Sequence, residues 1–565
     1  SSLHEKFDKQ TFLEERTKLY TNIFAKKLFV LAGNPGSGKS YELLNIIKDI
    51  ETQNESYILL APTGKAALRL KNDADFKGIE ASTIDKLIAD IKTGKRTKAS
   101  VLNTNNIIID EMSMVDLLKF HRLLEYINYQ APSLRRLILV GDPNQLPPIG
   151  YGKILRDIIY YCKTKSQYAD NFIELTMNCR MELANSKLLD LSSAFTYKGE
   201  LDEALKKLIV SGEEKISEGL RVKFWANEET LYEQIQTEFE LLCKQNKIKG
   251  SLKEKLHSLF GLDADGDFDT AIGFNLEYFQ IITPYKAAYF GSTFINEFVQ
   301  DTFKPDDDLE IMEGWFKQSD KVIRTKNYYE SNELIISNGS IGLARKEGHD
   351  VLYLPENNYD PIEFNSIRKG ERENFDLAYC ITVHKSQGSG FDHTFVILPQ
   401  KLGLLSKELV YTALTRSRKS VTLFIEGDAK TPYEKSILEK ARRRSYTEFR
   451  KTTLMLLQPF RYYSLEPEPG VFVESRIELM IYYSLLKTRE RLGKADFHFT
   501  YEEMPSINGA TVPIKTDFTI YSNGKIFYWE HLGRLSDKDY TRKWKEIKLP
   551  TYEKFGLTEQ LITTD

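Results

Sequence analysis

Four short apolar runs, at 26–33, 57–61, 107–111 and 136–142, punctuate the first third of the chain, and each is followed by a loop or a helix-like stretch. Runs this short, bounded by polar residues, read as strands buried on both faces. Their alternation with helical segments predicts a parallel sheet covered by helices on either side. A second set at Phe279–Pro284, Ala378–Val383, Phe395–Leu398 and Val421–Ile425 predicts another α/β domain beyond about residue 180. Between the sets, 197–270 is charged and helix-like, with a flexible break at 263–267. The stretch 320–375 carries short β-like segments and an Asn338-Gly339 turn signal, so it reads as a small β insertion. Residues 432–451 are helical and basic, and mixed strands and helices follow to the end. A chain of 565 residues exceeds one core, and three or four domains are expected at roughly 100–200 residues each.

The 41% hydrophobic and 28% charged fractions suit a globular protein, and the net charge of −3 does not advertise a polyanionic partner. A local basic groove remains compatible with that balance. The four cysteines, Cys162, Cys179, Cys243 and Cys380, are far apart in sequence. This excludes a CxxC zinc site and fits a reducing compartment. No apolar run approaches the roughly 20 residues of a membrane span, and no secretory signal pattern opens the sequence. A cytoplasmic location without membrane contact is therefore expected. The chain opens on Ser1 rather than Met, which leaves room for an upstream domain.

The first run ends in Gly33-Asn34-Pro35-Gly36-Ser37-Gly38-Lys39-Ser40, the P-loop pattern GxxxxGK[ST] between a strand and a helix-like segment. Glycines let backbone N–H groups turn inward around phosphates, and the helix start adds positive potential. Lys39 is expected on the β- and γ-phosphates of ATP and the Ser40 hydroxyl on Mg²⁺. Asp110-Glu111 closes a later strand. Asp110 suits Mg²⁺, and Glu111 suits orientation and deprotonation of an attacking water.

A P-loop alone does not separate kinases, GTPases, transporters and helicases. The strings that follow it, in order, resemble the RecD-like superfamily 1 helicases over roughly 10–427: Ala61–Ala67, Ser82–Asp85, Gly141–Gly150, Arg180, Ile282–Tyr285 with Asn296, Asn338–Gly342, Ala378–Ser389 and Tyr411–Arg418. The resemblance implies two RecA-like P-loop motor domains, at 1–180 and 181–430. The β insertion at about 320–375 would be a small β-barrel, and a basic helical linker would span 431–470. It implies that Pro62, Thr63, Lys65, Thr83, Thr382 and His384 touch the nucleic-acid strand. It makes Gln145 the γ-phosphate sensor and Arg180 and Arg416 the arginines that reach the γ-phosphate. Gln387 and Gly388 join the nucleotide side, and Gln10 is the candidate reader of adenine. Asp85 departs from the family, in which many members carry His there.

Residues 471–565 resemble the PD-(D/E)XK nuclease fold, a restriction-endonuclease-like α/β domain. Glu478 would come from a helix, Asp517 and Glu530 from adjacent strands. Such carboxylates can hold Mg²⁺ against a scissile phosphate. Thr516 stands where Pro is usual, and Leu532 where the catalytic lysine is expected. Lys548, then Lys545 and Lys543, are the candidates to replace it, and His531 is expected to support rather than act.

The combined expectation is an ATP-dependent helicase, 5′→3′ by resemblance alone. It would act on single-stranded DNA or DNA with a single-stranded tail, coupled to a metal-dependent nuclease in DNA repair or defence against phage. Two alternatives stay open: an RNA helicase of the same superfamily, and a nucleotide-switched binding module with an inactive nuclease fold.

Overall fold

The computed structural model describes all residues except 1–7, 73–77, 180–186, 198, 269–273, 312–314, 331–332, 356–358, 365–366, 368–371, 450–464, 469–470, 474–475, 494, 505, 508–509, 533–537 and 565. It divides into two compact units, Ser1–Met455 and Leu456–Asp565.

The first unit holds two parallel sheets. The first sheet contains β1 (Leu28–Gly33), β2 (Tyr57–Ala61), β3 (Ala81–Thr83), β4 (Asn106–Ile109), β5 (Arg136–Gly141) and β6 (Phe172–Leu175), in the order β3-β2-β4-β5-β1-β6. Every pairing in it is parallel. These strands are nearly continuous apolar sequence because helices bury both faces, which splits the surrounding hydrophobic side chains into two clusters. Helix α1 (Lys9–Ile23) precedes β1, and α2 (Lys39–Thr52) leaves directly from the P-loop. Helix α3 (Gly64–Asn72) follows β2, and α4 (Ile84–Lys92) follows β3. The P-loop, Pro62–Thr63, Thr83, Asp110–Glu111 and Asp142–Gln145 therefore all emerge at the carboxyl edge of one sheet, where open α/β folds bind ligands.

The second sheet runs, in spatial order, Cys380–Thr382, Phe279–Thr283, Phe391–Leu398, Ser417–Glu426, Leu220–Trp225 and Lys215–Ser217. All its pairs are parallel except the last. The strand Leu220–Trp225 pairs with Ser417–Glu426 inside this sheet, in a stretch expected to be helical. Its alternating Leu-Arg-Val-Lys-Phe-Trp pattern carries the strand signal. The break at 263–267 is a turn closed by the bridge Leu262–Phe268 and by an ion pair of Asp267 with Arg345.

The insertion forms a five-stranded antiparallel sheet from Asp320–Arg324, Ile341–Glu347, His349–Tyr353, Ile362–Glu363 and Phe375–Leu377, with an apolar core of its own. Among the described residues its two outer strands do not pair with each other, so the expected barrel stands as an open sheet. Lys321 anchors it to the second domain: the fully buried ammonium donates to the carbonyls of Leu276 and Phe279 at 2.8 and 2.9 Å.

Residues 433–449 do not behave as the expected linker. Tyr433, Ile437, Leu438 and Ala441 are buried in the core of the second sheet. The Glu408 carboxylate accepts a hydrogen bond from Thr447 Oγ1 at 2.6 Å, and from Ser445. The basic run is committed as well: Arg442 and Arg443 each pair with Glu439 at 2.7 Å, and Arg444 donates to the Leu402 carbonyl.

The second unit carries a four-stranded sheet in the order Phe497–Tyr501, Phe518–Ser522, Lys525–His531 and Leu561–Thr564. The first three are antiparallel neighbours, and the last is parallel to the third. The helix Arg476–Leu492 packs its Ile481, Tyr482 and Leu485 on one face. The segment Lys538–Lys554 is helical, with a π-helical turn at Trp544–Lys548.

Candidate functional site

The P-loop turns on Gly36 and Gly38, at φ 86° and 89°, where a side chain would be strained. A Cβ on Gly33 would stand 2.5 Å from Ser37 Oγ, so this position also requires glycine. Lys39 Nζ donates back to the carbonyls of Gly33 and Asn34 at 2.6 and 3.0 Å. Ser37 is fully buried and its Oγ has no partner among the described residues. Ser40 lies exposed on the first turn of α2. The backbone of Cys179 closes the loop from the other side, donating to Gly36 O at 2.7 Å.

Asp110 is buried, and that burial, with Glu111 beside it, pushes its carboxyl up to about 6. Arg69 and Lys39 oppose the shift. Glu111 adopts a left-handed backbone at φ 50°, uncommon for a residue with a side chain. Asp142 is fully buried, and its carboxyl is likewise raised by burial. Asp142 accepts from Asn144 N at 2.9 Å and from Gln145 Nε2 at 3.4 Å. Gln145 Oε1 is buried without a partner among the described residues. Two orphaned polar atoms, a glycine cradle and an acid pair held above its usual range make up a donor and acceptor set that fits nucleotide phosphates and a divalent cation.

The second domain closes over this set. Tyr411 OH lies 2.9 Å from both Asn34 Oδ1 and Asp142 Oδ2. Leu146 N donates to Thr412 Oγ1 at 2.9 Å, and Gln387 Nε2 to Leu146 O at 3.4 Å. Arg416 is buried and bonded to Thr412 O and Ser389 O at 3.1 and 3.0 Å. Burial lowers its affinity for a proton, and the charges of Glu111 and Asp142 counter that. Arg180 lies outside the described residues.

Gln10 is not brought to the loop. It is exposed, and its Nε2 donates to Glu14 at 2.8 Å. The residue of α1 that reaches the P-loop is Arg16, two turns further on. It donates to Ser37 O at 2.7 Å, pairs with Glu42 at 3.1 Å, and lies over the Phe12 ring. Arg16, Asp142 and Tyr411 are the site residues that motif reading passed over. Asp142 and Tyr411 sit inside strings already singled out.

The strand-facing candidates cap turns. Thr63 Oγ1 accepts from Ala66 N at 3.2 Å and Thr83 Oγ1 from Lys86 N at 3.0 Å, while Thr382 Oγ1 accepts from Lys385 N at 3.3 Å. Capping uses a lone pair and leaves each hydroxyl hydrogen able to donate outward. Lys65 donates to Gly339 O of the insertion at 3.0 Å. Pro62 is buried with its carbonyl on Lys119 at 3.3 Å, and Lys119 also pairs with Asp85 at 2.8 Å. His384 is half-buried in the turn after Thr382.

In the second unit, Asp517 immediately precedes one strand and Glu530 lies near the end of its antiparallel neighbour. Glu530 is buried, and burial together with Asp517 pushes it up to about 7. Asp517 is also raised, chiefly by burial. Lys548 Nζ lies 2.7 Å from Glu530 Oε2 and 3.8 Å from Asp517 Oδ1. Tyr552 OH donates to Glu530 Oε1 at 2.6 Å. Asp517 Oδ2 accepts from the backbone N of His531 at 2.7 Å, and the His531 ring faces Thr564. Glu478 accepts from Tyr501 at 2.5 Å, and its charge contributes to raising Asp517. No group of three or more His, Cys, Asp or Glu that could hold a metal ion occurs among the described residues. Lys543 and Lys548 line a cavity of about 320 Å³ with Glu502, Asp517 and Trp544, and Lys545 is exposed.

Fold and site define a P-loop protein with two α/β domains around one nucleotide cleft. The AAA domain family matches residues 17–151, and the UvrD-like helicase C-terminal domain matches 377–424. An uncharacterized protein of Methanocaldococcus jannaschii is 28% identical over 98% of this chain and 49% of its own length. The RecBCD enzyme subunit RecD of Buchnera aphidicola is 29% identical over 70% of this chain and 69% of its own. The ATP-dependent RecD2 DNA helicase of Deinococcus radiodurans is 27% identical over 72% and 48%. Over its first 430 residues the chain is similar to these RecD-type helicases, and it spans about half the length of the first and third of these relatives. No helix among the described residues is long and apolar enough to cross a membrane.

Proposed function

We propose that the first unit is an ATP-hydrolysing motor that moves along single-stranded DNA and unwinds duplex ahead of it. The observation that carries this is the closure of the second domain on the phosphate loop through Tyr411, with the buried Arg416 in electrostatic reach of Glu111 and Asp142 of the first domain. A cleft whose two walls belong to different domains couples nucleotide state to domain spacing, because an arginine supplied across it stabilises transferred charge. Gly33–Ser40 would hold the phosphates, with Lys39 on the terminal pair, Gln145 as sensor, and Ser40 and Asp110 around Mg²⁺. The ion supplies neutralisation of phosphate charge. Glu111 orients the water, and Arg180 and Arg416 would supply the positive charge that the γ-phosphate needs. Thr63, Thr83 and Thr382 donate hydroxyls to the strand. The direction is 5′→3′, as the RecD-like motifs imply.

The second unit is read as a metal-dependent DNA nuclease. Asp517 and Glu530 are an acid pair raised by burial, and Lys548, paired with Glu530, is the candidate to replace the lysine missing at Leu532. Mg²⁺ would be held by Asp517 and Glu530 and would polarise the scissile phosphate. A motor joined to such a nuclease suits DNA repair or defence against foreign DNA.

The test is a parallel assay of ATP turnover with and without single-stranded DNA, strand displacement, and Mg²⁺- or Mn²⁺-dependent cleavage, in wild type, Lys39→Ala and Asp517→Ala. Lys39→Ala should lose turnover and displacement but keep cleavage, and Asp517→Ala the reverse. Wild-type turnover in Lys39→Ala would refute the nucleotide site. Absence of cleavage in wild type on every substrate would refute the nuclease.

A further inference from the structure

Helix α3 joins two parts of the motor that have separate tasks. Its start, Thr63 to Lys65, is the loop assigned to the strand, and Lys65 is tied there to the insertion at Gly339. Arg69, farther along the same short helix, points to the catalytic acids. Its Nη2 lies 3.8 Å from Glu111 Oε1 and 3.9 Å from Asp110 Oδ2. Its Nη1 donates to the Gly388 carbonyl of the second domain at 3.2 Å. Neither the P-loop nor the arginines expected on the γ-phosphate account for this side chain.

Resting on the motor reading above, we propose that Arg69 is a brake on hydrolysis that strand binding releases. A guanidinium within ion-pair distance of both Asp110 and Glu111 occupies the space a divalent cation and the attacking water need, and competes with the cation for the same charge. Its hold on Gly388 adds a tie across the cleft. The strand, bound at Thr63 at the head of α3, displaces the helix and with it the guanidinium. Glu111 and Asp110 are then free for water and Mg²⁺. The side chain is 43% exposed, so it has room to move without opening the core.

The experiment measures steady-state ATP turnover of wild type, Arg69→Ala, Arg69→Gln, Arg69→Lys and Lys39→Ala in the full chain, each with and without a single-stranded oligonucleotide. Both neutral variants should raise the strand-free rate by about five-fold or more, the lower end of ordinary coupling between sites, and leave the strand-bound rate near wild type. The stimulation ratio then falls toward one, and Arg69→Lys stays between. A strand-free rate that is unchanged, or that falls together with the strand-bound rate, overturns the proposal, since a merely supporting residue would lower both. These outcomes are distinct from failure of the motor reading, which would show as wild-type turnover no different from Lys39→Ala.

Discussion

Tyr411 and Asp142 meet across the cleft, the phenol of one α/β domain donating to the buried carboxylate of the other at 2.9 Å. Burial raises the Asp142 carboxyl and holds the Tyr411 phenol well above its ordinary range, so the phenol is the donor. Tyr411→Phe leaves a buried acceptor short of a donor, at a cost of about 1–3 kcal/mol. If the bond belongs to the closed, hydrolysing state, ATP turnover falls about 5–150-fold while the fold persists. Steady-state kinetics beside a melting curve decide it, and wild-type turnover would place the bond outside the working cycle.

Arg16, not Gln10, is the helix α1 residue that shapes the P-loop. Arg16→Ala removes a charged hydrogen bond to Ser37 O, in a class worth about 1.5–3 kcal/mol. The KM for ATP should rise about ten-fold or more. Gln10→Ala, which loses only a surface contact with Glu14, should leave it unchanged. A larger effect from Gln10 in this titration would restore it as the reader of the base.

Lys548 and Tyr552 stand one helical turn apart and take the two oxygens of Glu530. Lys548→Met should abolish cleavage. Tyr552→Phe should keep cleavage but raise the Mg²⁺ concentration for half-maximal rate about 10–100-fold, as loss of a group that orients a metal-binding carboxylate does. Equal metal requirements in Tyr552→Phe and wild type would show the phenol to be packing only.

Lys321 predicts an alkaline dependence of stability. Burial lowers its pKa from 10.5 to about 7. Below 7 both folded and unfolded chains carry the proton, and between 7 and 10.5 only the unfolded chain does. A lowered folded pKa therefore makes this contribution largest above 10.5, and it is lost as pH falls to about 7. Lys321→Met should flatten that slope in urea unfolding between pH 7 and 10, and an unchanged slope would assign it to other groups.

Much of the motor was legible because its chemistry is local. Eight consecutive residues make the P-loop, and Asp110-Glu111 and the Gly141–Gly150 string follow buried strands whose apolar runs are plain. What escaped depends on partners distant in sequence. Arg16 is 21 residues from Ser37, and Tyr411 is 269 from Asp142. Leu220–Trp225 was hidden in a charged stretch because Arg221 and Lys223 share one face of the strand, where they pair with Glu238 and Glu214. The basic run at 442–444 is neutralised in a way its spacing does not announce: Arg442 and Arg443 pair with Glu439 of the same short helix, and Arg444 reaches Leu402 O, far off in sequence. Nothing in sequence spacing separates Lys548 from Lys545 and Lys543; its pairing with Glu530 and Asp517 is a tertiary contact with residues 18 and 31 positions away.

Glu111 holds a left-handed backbone that costs an L-residue about 1–2 kcal/mol relative to glycine. Glycine, which adopts this conformation without a Cβ clash, would relieve that strain. At this position the gain and the loss fall on the same atom pair: relief of the backbone deletes the carboxylate. On the proposed reading of Glu111 as the residue that orients the water, added stability has to come from elsewhere, and Glu111→Gly would give a sturdier but inert chain.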